Sequence, residues 1–224
     1  MFFSRIDTII EKVKACSCEC EQTCDICFEK IGVRPLIDSL IGSKNDALCN
    51  MCCEQLRSKK FYREDLSVKT CVLYAYHGFI RNLILRYKVY DDYHLKRYLF
   101  EYHRLWIRFH YSRYEYVLAP SNTTNSSKLN HLEILVENLG LKHSGINLVN
   151  NAPIKQAHCN SKERRRIRNY ITLEKTPLKK TTKILIIDDI VTTGNTLEAI
   201  ADQIKPFANH IEALCLAGTL TKLK

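Results

Sequence analysis

The sequence holds no apolar run near the ~20 residues a membrane-spanning helix needs, so no membrane insertion is expected. Its seven glycines nowhere form a G-x-G-x-x-G pattern, which counts against a dinucleotide-binding turn. The opening stretch MFFSRIDTIIEKVKAC spaces Phe2, Phe3, Ile6, Ile9, Ile10 and Val13 as on one helix face. Acids interrupt that stretch and no small-residue cleavage site follows, so it reads as a short amphipathic helix, not a secretory signal. A cytoplasmic protein is the expectation. Internal repeats and low-complexity linkers are also missing, which excludes solenoid and linker architectures.

What is present fits a folded chain. Of its 224 residues, 46% are hydrophobic and 26% charged, so disorder is not the default. The net charge of +10 favours polyanionic partners such as phosphates or nucleic acid. The length suits one α/β domain with a small appendage.

Eight of the eleven cysteines fall between Cys16 and Cys53. With no export signal, metal binding is a better reading of them than disulfides. Cys24-Asp-Ile-Cys27 and Cys49-Asn-Met-Cys52 are two CxxC pairs with 21 residues between them. Each pair lets a turn offer two thiolates to one tetrahedral zinc, and two such turns close the site. A closed site is structural. Cys16, Cys18, Cys20 and Cys53 are spare thiols beside it, while Cys71, Cys159 and Cys215 read as buried apolar residues.

The chain divides into a cysteine-rich module (1–60), an aromatic and basic helical segment (61–114) and an α/β domain (115–224). In the last, strands are expected at Tyr114–Pro120, Lys183–Asp188 and His210–Gly218, with helices at Ser127–Leu141 and Asn195–Lys205. That alternation argues for a mainly parallel sheet flanked by helices. Eleven of the twelve tyrosines lie between Tyr62 and Tyr116, interleaved with cations. Such interleaving suits stacking on single-stranded nucleic acid. However, Tyr98, Phe100, Tyr102, Leu105, Trp106 and Phe109 also repeat at helical spacings, and core packing is the reading preferred.

The most informative stretch is KILIIDDIVTTGNTLEAI, from Lys183 to Ile200. Two adjacent carboxylates after a buried run cost free energy unless they face a cleft. In a parallel sheet, ligands bind beyond the carboxyl ends of the strands, which is where Asp188 and Asp189 are expected. The Thr-Thr-Gly-Asn-Thr turn that follows leads into a helix. Its N–H groups, hydroxyls and glycine make a phosphate cradle. The acids suit vicinal hydroxyls, directly or through hydrated magnesium. Phosphate plus diol points to a ribose 5-phosphate. A phospho-acceptor receiver domain is disfavoured, because its acid pair follows the first strand and this pair lies near the end.

ILIIDDIVTTGNT closely resembles the motif by which type I phosphoribosyltransferases bind phosphoribosyl pyrophosphate (PRPP). The resemblance implies that Asp188 and Asp189 hold the ribose diol and act in catalysis. It assigns the 5-phosphate to Thr192, Thr193, Gly194, Asn195 and Thr196, with Mg2+ accompanying PRPP. The four-cysteine module, LYAYHGFIRNLILRYKVYDD (Leu73–Asp92) and QAHCNSKERRRI (Gln156–Ile167) extend the resemblance to the ComF family of competence proteins. That family implies natural transformation and processing of incoming single-stranded DNA. Single-stranded DNA, a transformation helicase and other competence proteins are then the expected partners besides PRPP. A non-catalytic adaptor and a nucleotide-salvage transferase are the alternatives.

The family also implies that Tyr87 and Lys88 face the pocket. Its flexible flap falls at 161–183, with nine Lys and Arg against two Glu, and includes Lys162, Arg164, Arg165 and Arg166. One departure stands out. The family's Arg-Gly-Phe-Asn-Gln block is replaced by Ser127-Lys128-Leu129-Asn130, where only Asn130 survives. Related transferases contact pyrophosphate in this region, so the change bears on turnover, and Lys128 is the remaining cation.

Overall fold

Ile184, Leu185, Ile186 and Ile187 are fully buried in succession, the mark of a strand covered on both faces in a parallel sheet. The protein is seen in a computed structural model that describes residues 22–31, 47–57, 60–120, 131–150, 171–175 and 181–220. It divides into two units, Met1–Gln55 and Leu56–Lys224.

In the first unit, an isolated antiparallel bridge joins Thr23 to Lys30. Helix α1 (Asn50–Leu56) begins between the two cysteines of the second CxxC pair.

The second unit is built on a six-stranded sheet. Its strands are β1 (Phe61–Arg63), β2 (Lys69–Ala75), β3 (Glu115–Leu118), β4 (Lys142–His143), β7 (Thr181–Val191) and β8 (Ala208–Gly218). Their spatial order is β1-β2-β8-β7-β3-β4. Only β1 runs antiparallel to its neighbour; the other pairings are parallel. β5 (Asn147–Asn150) and β6 (Ile171–Lys175) form a separate antiparallel pair. The fold class is thus α/β with a mainly parallel sheet flanked by helices, as expected.

Helices close over the sheet by their apolar stripes. α2 (Gly78–Val89) buries Ile80, Leu83, Ile84 and Tyr87, at the i, i+3, i+4, i+7 spacing of one face. α5 (Asn195–Ile204) buries Leu197, Ile200, Ala201 and Ile204 at the same spacing. It connects β7 to β8 as a βαβ unit. Each large aliphatic side chain buried this way contributes about 1.5–3 kcal/mol. Short α3 (Arg104–Tyr111) and α4 (His131–Val136) complete the α-helices of this unit among the described residues.

Three expectations are revised. β7 does not stop at Asp188 but continues to Val191, because β8 keeps pairing it through Val191↔Gly218. β3, in contrast, leaves β7 at Leu118↔Ile187, two residues before Pro120, which has no N–H to donate. The aspartates therefore lie within a strand, at the place where it has lost one neighbour. β1 and β2 lie in a segment read only for helical spacing; Cys71, Val72, Leu73 and Tyr74 form the buried run of β2. Of the aromatic stripe, Tyr98 and Phe100 are buried as expected, but Leu105 and Phe109 are exposed. They lie on the side of α3 away from buried Ile107 and Tyr111.

The amphipathic helix at the N-terminus, Cys16, Cys18, Cys20 and Cys159 lie outside the described residues. So do Ser127, Lys128, Asn130 and the flap cations Lys162, Arg164, Arg165 and Arg166. No helix among the described residues is long and apolar enough to cross a membrane.

Candidate ribose-phosphate site

The parallel strands end together on one edge, where Ala75, Gly218 and Val191 are in register across β2, β8 and β7. There β7 gives way to Thr192-Thr193-Gly194 and then to α5. Gly194 has φ +78, and a Cβ on it would lie 2.2 Å from Cδ2 of Leu66. Only glycine meets both conditions. The carbonyl of Gly194 accepts the first helical hydrogen bond, from the Glu198 N–H at 3.0 Å. The N–H groups of Asn195, Thr196 and Leu197 therefore have no acceptor within the helix and carry the positive end of its dipole. Thr193 is exposed, and Thr192, Asn195 and Thr196 are partly so. This turn can receive an anion.

Arg63, at the end of β1, pins the turn from behind. It is 3% exposed. Its Nη1 donates to the Thr192 carbonyl at 2.9 Å, and its Nε and Nη2 each donate to Asp65 at 2.7 Å. In a trans peptide the C=O and the next N–H point opposite ways. Holding the Thr192 carbonyl toward Arg63 thus turns the Thr193 N–H to the other side. Hydrogen bonding and charge from Arg63, against a smaller opposing effect of burial, hold the Asp65 carboxyl below the usual carboxylate range. Sequence reading missed Arg63. Its only signal was a cation closing a short polar-aromatic strand.

Asp188 and Asp189 stand on the same edge, both partly buried. The Asp189 N–H donates to Oδ1 of Asp188 at 2.8 Å. Burial and the Asp189 charge push the Asp188 carboxyl up to about 7, against the pull of that N–H and of Lys88. Lys88, in the last turn of α2, forms an ion pair with Oδ2 of Asp189. Burial lowers the Lys88 ammonium, but the Asp189 charge and hydrogen bond outweigh it and hold it above its ordinary value. Tyr87, beside it in sequence, is buried and donates to the His131 carbonyl at 2.8 Å. The structure thus brings Lys88 to the acid pair, while Tyr87, expected beside it at the pocket, is buried on the apolar stripe of α2.

A second cluster lies in the first unit. The sulfurs of Cys24, Cys27, Cys49 and Cys52 all fall within 4.8 Å of one another. The Cys27 and Cys49 sulfurs are 3.6 Å apart, against the ~3.8 Å edge of a tetrahedron with metal–sulfur bonds of ~2.3 Å. The first knuckle is a tight turn in which the Phe28 N–H donates to the Cys24 carbonyl at 2.9 Å. The Cys52 N–H reaches the Cys49 sulfur at 3.4 Å. Burial raises the Cys24 thiol, but the backbone N–H groups of Cys27, Cys49 and Ile26 outweigh it and bring it down to about 6. Burial and the other three thiols push Cys52 well up. Four crowded thiols cannot all ionise unless a cation joins them. The donor set fits one closed, four-coordinate ion.

One family model matches the segment that carries this edge. Residues 142–221 match the sequence model of the phosphoribosyl transferase domain, a span that includes Asp188, Asp189 and the turn after them. No curated protein matches. Among solved structures, an adenine phosphoribosyltransferase is similar at 12% identity and TM-score 0.41, over 75% of this chain and 89% of that one. The adenine phosphoribosyltransferase of Saccharomyces cerevisiae, complexed with adenine and an imino-altritol bisphosphate, has the same identity and TM-score. That match covers 75% of this chain and 88% of the yeast chain.

Proposed function

We propose that this chain binds PRPP at the edge where β7 meets α5. The N–H groups and hydroxyls of Thr192, Thr193, Gly194, Asn195 and Thr196 take the 5-phosphate, and Asp188 and Asp189 accept hydrogen bonds from the ribose hydroxyls. The observation that carries this reading is the placement of an anion-receiving turn directly after two carboxylates on one strand, inside the segment that matches the transferase domain. The clustered cysteines hold a structural zinc ion.

Transfer from such a site breaks the bond between C1 of the ribose and the pyrophosphate oxygen. The electron pair leaves with pyrophosphate, and an acceptor nucleophile forms the new bond to C1. The chain contributes orientation of the ribose and negative charge near the cation-like sugar. Magnesium accompanying PRPP would offset charge on the leaving pyrophosphate. The resemblance to the ComF family supports a setting in natural transformation, in which single-stranded DNA is the partner and binds less tightly as salt rises.

Thermal-shift titration tests the pocket, since a ligand that binds only the native state raises its stability. PRPP is expected to raise the melting temperature of the wild type and to have no effect on Asp188→Asn/Asp189→Asn. The absence of a shift at saturating PRPP overturns the reading.

A further inference from the structure

We infer that Lys88 is a built-in counter-cation of the ribose site, so that a ribose 5-phosphate binds there without a divalent metal on the acid pair. The inference rests on the reading of this edge as a ribose-phosphate site and departs from it in what neutralises the carboxylates.

Lys88 is delivered by α2, whose stripe of Ile80, Leu83, Ile84 and Tyr87 is buried in the unit's core. Its position is thus fixed by packing and not by the ion pair alone. The Lys88 and Asp189 side chains are 32% and 20% exposed, so water screens the pair only in part. One oxygen of Asp189 meets the ammonium, and one oxygen of Asp188 is held by the Asp189 N–H. Once Asp188 is also ionised, two carboxylates and one ammonium leave a single net negative charge, and at lower pH the cluster is closer to neutral. A magnesium ion keeps near-octahedral oxygen coordination and dehydrates reluctantly. To sit against Asp189 it must displace an ammonium or crowd beside it, and like charges at that range repel. The acid pair is therefore a poor resident metal site.

A neutral diol meets no such obstacle. Its hydroxyls donate to carboxylate oxygens without displacing a charge. Lys88 also lowers the repulsion between the acids and the incoming phosphate, which the turn after them receives. The ammonium does for the diol subsite what a hydrated metal would otherwise do.

Calorimetric titration with ribose 5-phosphate, which lacks a pyrophosphate to chelate metal, separates the two cases. Wild-type affinity is expected to be equal in excess EDTA and in excess magnesium. Lys88→Met is expected to lose at least about tenfold in EDTA and to recover with magnesium, while Lys88→Arg keeps the metal independence. Manganese paramagnetic resonance on ligand-free protein gives a second readout. Lys88→Met should gain a bound manganese that Lys88→Met/Asp189→Asn lacks, and wild type should bind none there. A magnesium requirement for ribose 5-phosphate in wild type overturns the inference. So does a Lys88→Met protein that binds the sugar phosphate equally well with and without metal. Absence of ribose 5-phosphate and PRPP binding in every variant, with or without magnesium, instead overturns the ribose-phosphate reading. The manganese result then still reports on the charge of the acid pair.

Discussion

Asp188 keeps its proton where an ordinary aspartate has lost it, because burial and the Asp189 carboxylate push it up to about 7. Between about pH 4 and pH 7 the folded chain holds a proton that the unfolded chain has released, so stability falls as pH rises through that window. The penalty is complete above about pH 7 and absent below about pH 4. Asp188→Asn removes it. Urea denaturation should show this variant more stable than wild type by on the order of 1 kcal/mol at about pH 8, and equal to it near pH 4. The same variant should bind PRPP more weakly. A group that costs stability where it stands and gains its value from a ligand is the signature of a site. Equal stability of the two proteins at the higher pH would remove the electrostatic half of this account.

At the scale of elements, the β1–β2 hairpin is a support for the turn after β7. Arg63 ties the Thr192 carbonyl, and Leu66 fills the space beside Gly194. Arg63→Met keeps much of the apolar stem but removes the guanidinium from Asp65 and leaves the Thr192 carbonyl only the longer bond from the Thr219 hydroxyl, at 3.4 Å. Loss of such hydrogen bonds costs about 1–3 kcal/mol. Beyond that cost, phosphate affinity should fall, and the loss should exceed any loss for a ribose ligand without the phosphate. Titrations with ribose 5-phosphate and with ribose, read beside denaturation curves, separate the effect on the turn from a general loss of stability. A variant with wild-type phosphate affinity would reduce Arg63 to a packing role.

On the scale of the whole molecule, the chain has two units with different sources of stability. Met1–Gln55 has few buried apolar side chains among its described residues, with Ile26 and Leu48 foremost beside Cys24 and Cys52. With the proposed zinc ion bound, a module this small draws its folding free energy from the metal. Leu56–Lys224 has the sheet and its helices. A strong zinc chelator should release about one zinc per chain and unfold the first unit, because the metal binds only the folded knuckles. The PRPP-induced shift of the second unit should survive. Hydrogen exchange resolved along the chain checks both: protection lost across 22–31 and 47–57, and retained across β7 and β8. Protection that persists at the knuckles after metal release would show that the cysteines fold without it.

The proposed ligand chemistry could be read from the sequence because the patterns behind it are local. The turn after β7, the two acids and the two CxxC pairs are short patterns whose physics depends on neighbours a few residues away. The parallel sheet was legible for a similar reason, since Ile184–Ile187 and Ala213–Ala217 are continuous apolar runs of strand length. Tertiary structure alone decided the rest. Arg63 and Thr192 are 129 residues apart in sequence, and Lys88 and Asp189 are 101 apart. No periodicity links such pairs. They meet because β2, β8 and β7 align their carboxyl ends on one edge, and because the packed face of α2 leaves Lys88 directed at that edge. The sequence by itself determined the short patterns on which the proposed ligand chemistry rests. Only the packing of distant elements decided which cation stands beside the acids and which residue holds the turn after β7 in place.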